Sequence, residues 1–236
     1  MIHITREDKI FLLLFLFLTG YLLIRAVQEE FRKKQERNRR LQIGRMGEEN
    51  TIRQLERIRG HKRILCNLYV PLEDEANTTE IDAVMIHEKG IIVLENKNYS
   101  GNIYGNEEES YWIQVQRSGH KKWTKHFYSP VKQNQTHIRR LEKFLKAQPE
   151  AWQLPYLSVI TFNENAKLKR ISVWSEDILV SETRRVRRRL RRKLRWMSRV
   201  LTGKQVDLLY EELKVLEHPG KRVERQHEKY VRRQIN

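Results

Sequence analysis

Cysteine is nearly absent from this chain of 236 residues, in which Cys66 is the only one. A single thiol forms neither a disulfide framework nor a thiol-rich zinc site, so the sequence excludes both classes of protein and suits a reducing compartment. Apolar residues are also limited, at 39%, which is enough for one hydrophobic core but little for two. The composition therefore predicts one domain of ordinary size with appendages.

Acidic residues are in clear deficit, with 30 Asp and Glu against 47 Lys and Arg, and the net charge is +17. The sequence pI is about 10.0. An excess of positive charge this large indicates an anionic partner, which is either nucleic acid or the acidic face of a membrane.

One segment near the start is uncharged and strongly apolar, from Ile10 to Ile24, and it extends through residues 26–27 if Arg25 snorkels. A helix over residues 10–27 would be ~27 Å long, close to the ~30 Å of a hydrocarbon core. A cleavable signal peptide is the alternative, but the run lacks a small-x-small cleavage site and is followed at once by basic residues. The positive-inside rule then predicts a single-pass anchor in the cell membrane, with the amino terminus outside and the body in the cytoplasm.

A solvated basic helical linker is predicted over residues 28–43, and an α/β domain over residues 44–180. Apolar periodicity within the domain predicts one mixed sheet flanked by helices. Its predicted helices cover residues 48–58 and 130–147, and its predicted strands cover residues 63–70, 80–86, 90–97, 102–104, 111–116, 156–162 and 171–173.

Two of these strands form a hairpin that carries the most informative residues. If residues 87–90 make the turn, Asp82 lies opposite Glu95, and Lys97 shares the face of Glu95. Opposed carboxylates, roughly 5 Å apart at Cβ, destabilise a sheet unless a positive charge lies between them. The alternative is a solvated acid–base pair in which Glu80 faces Lys97, and a slip of one residue would turn Asp82 to the other face.

Four separated motifs resemble the nuclease-related domain (NERD) family of the PD-(D/E)xK restriction-endonuclease-like superfamily. In order, they are Gly44–Glu48, Ile81-Asp82, Gly90–Gly101 with the later Trp112, and Ser129–Gln135. The resemblance covers about residues 44–145 and implies a restriction-endonuclease-like fold. Two positions depart from the pattern: Ile81 replaces the proline of the superfamily name, and the acidic Glu80 could compete for Lys97.

The resemblance also implies roles for these residues. Asp82 and Glu95 would bind Mg²⁺ or Mn²⁺, which prefers hard oxygen ligands and keeps several waters, while Lys97 would orient or deprotonate the attacking water. Glu48 would contribute a further acid from an early helix. Its alternative is structural, because a glutamate near a helix start is favourable with the helix dipole.

Gln133 lies in the first turn of the helix that begins at Ser129-Pro130. The resemblance directs it at the metal-bound water or a phosphate; a solvated surface glutamine is the alternative. His137, four residues later, is equally compatible with an incidental position.

A basic amphipathic helical extension is predicted over residues 181–217, followed by a loosely ordered polar tail over residues 218–236. Its apolar stripe is a docking face, and its basic face either remains solvated, binds phosphate groups or lies on anionic lipid. The candidate nucleic-acid contacts are Arg184, Arg185, Arg188, Arg191, Arg192 and Arg195.

The function predicted from these observations is metal-dependent hydrolysis of nucleic-acid phosphodiester bonds, with DNA favoured over RNA as the partner. Two alternatives remain open: a non-catalytic nucleic-acid-binding module of the same fold, and a membrane-proximal scaffold. The sequence leaves the oligomeric state open.

Overall fold

The computed structural model describes residues 6–71, 78–148, 152–217 and 220, without the side chains of residues 6–17, Arg37, Arg40, Leu41 and Ile43. The chain divides into two compact units, residues 1–46 and residues 47–236. The described part of the first unit is helical and belongs to α1 (Arg6–Glu56), whose last turns lie in the second unit. The linker predicted over residues 28–43 is thus helical.

The predicted membrane anchor needs correction. Within the described residues, no helix is long and apolar enough to cross a membrane. This finding contradicts the anchor predicted over residues 10–27 and the single-pass localisation that rested on it. The side chains of residues 10–17, which form the first part of the predicted anchor, lie outside the described residues.

The second unit contains nine described strands and three further helices. In chain order they are β1 (Lys62–Pro71), β2 (Thr78–His87), β3 (Gly90–Lys97), β4 (Gly101–Asn106), β5 (Tyr111–Ser118), β6 (Lys121–Tyr128), α2 (Pro130–Lys146), β7 (Tyr156–Phe162), β8 (Ala166–Ser172), β9 (Ile178–Glu182), α3 (Thr183–Trp196) and α4 (Gly203–Lys214).

These strands form two mixed sheets rather than the single sheet that was predicted. The larger sheet has the order β1-β2-β3-β7-β9, and the smaller sheet has the order β6-β5-β4-β8. Strands β3, β7 and β9 are parallel, so their carboxyl ends lie at one edge of the larger sheet. The fold is therefore mixed α/β with two sheets flanked by helices, and the predicted fold class is wrong in its single sheet and its transmembrane helix.

Helices cover both faces of the larger sheet. On one face, the cluster that contains Ile91 and Val93 of β3 packs against α2 and α4. On the other face, the cluster that contains Ile92 and Leu94 packs against the last turns of α1 and against α3. The alternation of β3 thus assigns its odd-numbered residues to the α2 face.

The elements absent from the sequence prediction are β6 and β9, and β8 begins before the predicted residue 171. Strand β6 is exposed along its whole length except at Phe127, so no alternation of apolar residues marks it. Helix α3 ends at Trp196, within the region predicted to be helical. The polar tail predicted over residues 218–236 lies outside the described residues, apart from Gly220.

Candidate active site

The β2–β3 hairpin has the predicted register. Val84 pairs with Val93 and Ile86 pairs with Ile91, and the last pair before the turn is His87 with Gly90. At the other end the backbone ladder stops after Ala83 and Leu94. The carboxyl ends of β3, β7 and β9 lie at this end of the sheet, where the proposed site begins.

Asp82 lies next to Ala83, just beyond the last pair of that ladder, and its side chain rather than its backbone bonds to β3. The backbone N–H of Asn96 donates to Asp82 Oδ2 at 2.6 Å. Asp82 and Glu95 are therefore neighbours across the point where β2 and β3 separate, but not a backbone-paired couple as the register alone predicted.

Glu95 is buried, with 3% of its surface exposed, and it contacts two nitrogen-bearing side chains. Lys97 Nζ lies 2.5 Å from Glu95 Oε1, and His137 Nε2 lies 3.2 Å from Glu95 Oε2. Within the described residues, Glu95 Oε2 accepts no hydrogen bond of good geometry, although His137 Nε2 is close to it. One oxygen of this buried carboxylate therefore retains acceptor capacity.

Lys97 links β3 to the first turns of α2. Besides its contact with Glu95, its ammonium group donates to Gln133 Oε1 at 2.8 Å. Glu80, the predicted competitor for Lys97, accepts a hydrogen bond from the Tyr69 hydroxyl at 3.2 Å. Lys97 is thus held between a carboxylate of its own strand and an amide of the covering helix.

His137 belongs to the same cluster, and its position was not predicted. Its Nδ1 lies 2.8 Å from the Thr79 hydroxyl oxygen, and its Nε2 lies 3.4 Å from Gln133 Nε2 as well as near Glu95. Residues four apart on a helix lie on one face, so the spacing of Gln133 and His137 is the sequence signal that could have identified it.

The surroundings shift the pKa values of Asp82 and Glu95 in opposite directions. Burial alone would raise the pKa of Glu95, but the charge of Lys97 and the adjacent His137 hold it below its ordinary value. Burial, followed by the negative charge of Glu95, raises the pKa of Asp82 well above its ordinary value. Burial would lower the pKa of Lys97, but Glu95 raises it. Two neighbouring acids with opposite shifts are typical of sites that do chemistry.

Glu48 comes from the last turns of α1 and is half-buried. Its negative charge contributes to the raised pKa of Asp82, which places the two carboxylates in electrostatic reach of each other. The helix approaches β3 closely, because a Cβ at Gly47 would lie 3.3 Å from Asn96 Nδ2. The structure therefore brings together all five predicted catalytic residues, Glu48, Asp82, Glu95, Lys97 and Gln133, while their roles stay predictions.

Asn96 organises the rear of this cluster and was not predicted as a functional residue. Its side-chain oxygen accepts a hydrogen bond from the Thr161 hydroxyl at 2.8 Å, and the Thr51 hydroxyl lies 3.5 Å away. Its backbone N–H meanwhile holds Asp82. Asn96 thus ties α1, β3 and β7 to the carboxylate.

The residues present fit a small divalent cation with few protein ligands. Within the described part of the chain, no group of three or more His, Cys, Asp or Glu side chains has metal-holding geometry. Two carboxylates are nevertheless sufficient for Mg²⁺, which usually keeps several waters. Glu95 Oε2 and the carboxylate of Asp82 are the oxygens that could hold it, and a cation there would offset the repulsion that raises the pKa of Asp82.

The arginines predicted to bind nucleic acid are all exposed on α3: Arg184, Arg185, Arg188, Arg191, Arg192 and Arg195. The helix packs by Val186, Leu190 and Leu194 on the sheet face opposite α2. It begins directly after β9 ends at Glu182, at the sheet edge where β3 also ends, and Glu182 pairs with Arg184 and Arg185. Only the start of α3 therefore lies at the edge that carries the carboxylates, and its later turns lie behind the sheet.

Comparison with known proteins assigns this α/β domain to a class. The nuclease-related domain (NERD) family matches residues 43–163. The chain therefore belongs to the NERD family, as the sequence motifs indicated. An uncharacterized protein of Bacillus anthracis is 31% identical over 134 residues, which are 57% of this chain and 59% of that protein. The chain thus spans about three fifths of the length of this relative. No solved structure gives a significant match.

Proposed function

We propose that this protein hydrolyses phosphodiester bonds of nucleic acid in a reaction that depends on Mg²⁺ or Mn²⁺. One observation carries the proposal: buried Glu95 and its neighbour Asp82 stand beside Lys97 at the carboxyl end of β3, inside a nuclease-related domain. The domain indicates a nuclease-related function and an interaction with nucleic acid. Metal dependence, catalysis and the preference for DNA over RNA are the further steps that we propose.

Asp82 and Glu95 would hold the metal ion. The ion would supply Lewis-acid stabilisation of the phosphate group and a more acidic water. Asp82 would be ionised with the cation present, because a nearby positive charge lowers the pKa that burial and Glu95 raise. Glu48 would add a third negative charge next to Asp82 and strengthen the attraction for a cation.

Lys97 would act as a positive charge rather than as a base. Its pKa is raised by Glu95, so the ammonium form persists at neutral pH. Glu95 and Gln133 hold the ammonium group at 2.5 Å and 2.8 Å, which limits its motion. A fixed cation of this kind would orient the attacking water and stabilise negative charge that develops on the phosphate oxygens.

Gln133 and His137 would position the charged groups. Gln133 holds Lys97, and His137 lies against the second oxygen of Glu95 while its other ring nitrogen contacts Thr79. This double contact fixes the orientation of the ring next to Glu95. Replacement of either residue would loosen the site without removing a charge from the proposed reaction centre.

The test is cleavage of labelled single- and double-stranded DNA and RNA by the purified full chain, with Mg²⁺, with Mn²⁺ and with EDTA. We expect cleavage only with metal. We also expect a loss of about 100-fold or more in Asp82→Asn, Glu95→Gln and Lys97→Met, the size typical of removing electrostatic stabilisation from a transition state. Matched controls are Glu108→Gln and Lys204→Met, which remove one charge each at exposed positions.

Cleavage that survives both Asp82→Asn and Lys97→Met would remove the mechanism. Nucleic-acid binding without cleavage under any metal, unaffected by Asp82→Asn, would instead support a non-catalytic binding module.

A further inference from the structure

The hairpin formed by β5 and β6 is strongly basic. Residues 111–128 include Arg117, Lys121, Lys122 and Lys125 but no aspartate or glutamate. All side chains from Lys121 to His126 are exposed, and β6 is an edge strand of the smaller sheet. Lysine on an edge strand prevents pairing with other chains, which would account for the charge alone.

Exposed aromatic residues on the same hairpin need another reason. Tyr111 is 61% exposed, Trp123 is 51% exposed and Tyr128 is 48% exposed. A large aromatic side chain in water on an edge strand works against protection from aggregation. Tyr111 and Tyr128 pair with each other on one face of the hairpin, whereas Trp123 lies on the other face between Lys121 and Lys125. An aromatic ring between cations on an open strand is the chemistry that binds single-stranded nucleic acid.

The side of the hairpin that carries Trp123 is continuous with the core beside the carboxylates. Lys121, Trp123, Lys125 and Phe127 alternate onto one face of β6. The ring of Phe127 lies 4.5 Å from the ring of Tyr99, which is two residues beyond Lys97. Along the strand, Trp123 lies ~14 Å from Phe127 at about 3.4 Å per residue.

The segment that follows Lys97 also holds this face directly. Gln116 pairs with Trp123, and its side chain donates to the Ser100 hydroxyl at 2.6 Å. Gln114, one step nearer the core on the same face, donates to the Ser100 carbonyl oxygen at 2.7 Å. The exposed part of the face is therefore attached to the chain that leaves the proposed reaction centre.

We propose that Lys121, Trp123 and Lys125 form a platform that binds a single strand of nucleic acid and leads it toward Asp82 and Glu95. Trp123 would stack on a base, and the two lysines would contact neighbouring phosphates. Stacking requires an unpaired base face, so the platform selects single strands or frayed ends over intact duplex. This inference rests on the proposed function, and it adds the substrate class.

The proposal favours nucleic acid over lipid, the other anionic surface that aromatic and basic residues contact. The platform is joined through Phe127 and Ser100 to the segment after Lys97, where a phosphodiester would have to be bound. Binding to a lipid surface would not require a connection to the proposed reaction centre.

The test measures the affinity of the full chain for a fluorescein-labelled oligothymidine by anisotropy, in EDTA so that no cleavage occurs. Trp123→Ala should weaken binding about 5- to 10-fold, and Trp123→Phe should keep most of the affinity because it retains a stacking ring. Trp196→Ala is the matched control, because Trp196 is 84% exposed on α3, and its effect should stay within about twofold. Circular dichroism of each variant checks the fold.

A second measurement uses salt. Lys121→Gln combined with Lys125→Gln should reduce the slope of log affinity against log salt concentration by about 1.4, since each phosphate contact on a single strand contributes about 0.7. The effect of Trp123→Ala should be smaller for a duplex of equal length.

Equal effects of Trp123→Ala and Trp196→Ala, or an equal effect of Trp123→Ala on duplex and single strand, would overturn the platform. Loss of binding to anionic phospholipid vesicles in Trp123→Ala, without loss of oligothymidine affinity, would also overturn it and assign the surface to lipid.

The platform and the proposed hydrolytic function can fail separately. A wild-type chain that never cleaves but binds through Trp123 removes the hydrolytic proposal alone, while a chain that cleaves and binds independently of Trp123 removes the platform alone.

Discussion

Replacement of Lys97 by methionine should destabilise the fold strongly as well as abolish the proposed activity. The side chains of Lys97 and Glu95 are only 17% and 4% exposed, and their charged atoms lie 2.5 Å apart, so solvent screens the pair weakly. An exposed pair contributes about 0–1 kcal/mol, whereas removal of one partner from a buried pair costs about 3–5 kcal/mol. We therefore expect Lys97→Met to lower the free energy of unfolding at pH 7 by ~3–5 kcal/mol.

The cost arises from the uncompensated carboxylate of Glu95, so a second substitution should recover much of it. In Glu95→Gln combined with Lys97→Met, the buried charge is gone, and we expect most of the lost stability to return while the proposed activity stays absent. Urea unfolding followed by tryptophan fluorescence measures both variants, and Lys204→Met serves as the exposed control, with a change of about 0.5 kcal/mol or less.

The pH dependence checks the same reasoning. In the wild type the folded pKa of Glu95 is lowered, so its contribution to stability is present above the ordinary value of 4.5 and is lost as the pH falls through the folded pKa. In Lys97→Met the Glu95 carboxyl group has lost its positive partner and becomes neutral by binding a proton. The difference in unfolding free energy between this variant and the wild type should therefore shrink as the pH falls from 7 toward 4.5. A deficit below about 1 kcal/mol at pH 7, or a double variant as unstable as the sum of the two single ones, would refute the buried-pair account.

Three further predictions concern other parts of the domain. Asp82→Asn should raise the melting temperature in EDTA at neutral pH by about 2 °C or more, because burial and then the charge of Glu95 destabilise the ionised form of Asp82. In a thermal-shift assay, added Mg²⁺ should stabilise the wild type but not this variant. Glu107→Gln should lower the free energy of unfolding by about 2 kcal/mol at pH 7, because the Glu107 carboxylate accepts hydrogen bonds from the backbone N–H groups of residues 174–175. Burial would raise the pKa of Glu107, but the Ser175 hydroxyl and these backbone bonds lower it. The difference in stability between variant and wild type, measured by urea unfolding, should therefore shrink below pH 4.5. Gly105→Ala should cost about 3 kcal/mol, because a Cβ there would lie 2.3 Å from the Trp112 ring, whereas Gly44→Ala, with open space around it, should be neutral or slightly stabilising in the same measurement.

The sequence was most informative where apolar periodicity and turn chemistry agree. The turn before Gly90 determines the register of the β2–β3 hairpin, because the pairing of every later residue follows from it. The motifs from Gly44 to Gln135 identified the NERD family, which the match over residues 43–163 confirms. Strand β7 was predicted with its observed bounds, because it is apolar on both faces and sharply delimited.

The errors fall where local sequence carries little information about burial. Strand β6 is basic and exposed, so only its pairing with β5 makes it a strand. The division into two sheets depends on long-range pairing of β4 with β8, which no local pattern encodes. The predicted membrane anchor over residues 10–27 rested on hydropathy and on the basic residues that follow the run, and no described helix meets the length and apolarity that a membrane span needs.

By itself the sequence determined the hairpin register, and with it the placement of Glu95 and Lys97 on one face of β3, because side chains alternate strictly along a strand. Only the tertiary structure decided what surrounds them. It separates β2 from β3 so that Asp82 binds Asn96, it brings Gln133 and His137 of α2 onto Lys97 and Glu95, and it packs the arginine-rich α3 on the opposite face. These contacts join residues far apart in the chain, and their protonation depends on burial, which is a property of the packed domain and not of any segment.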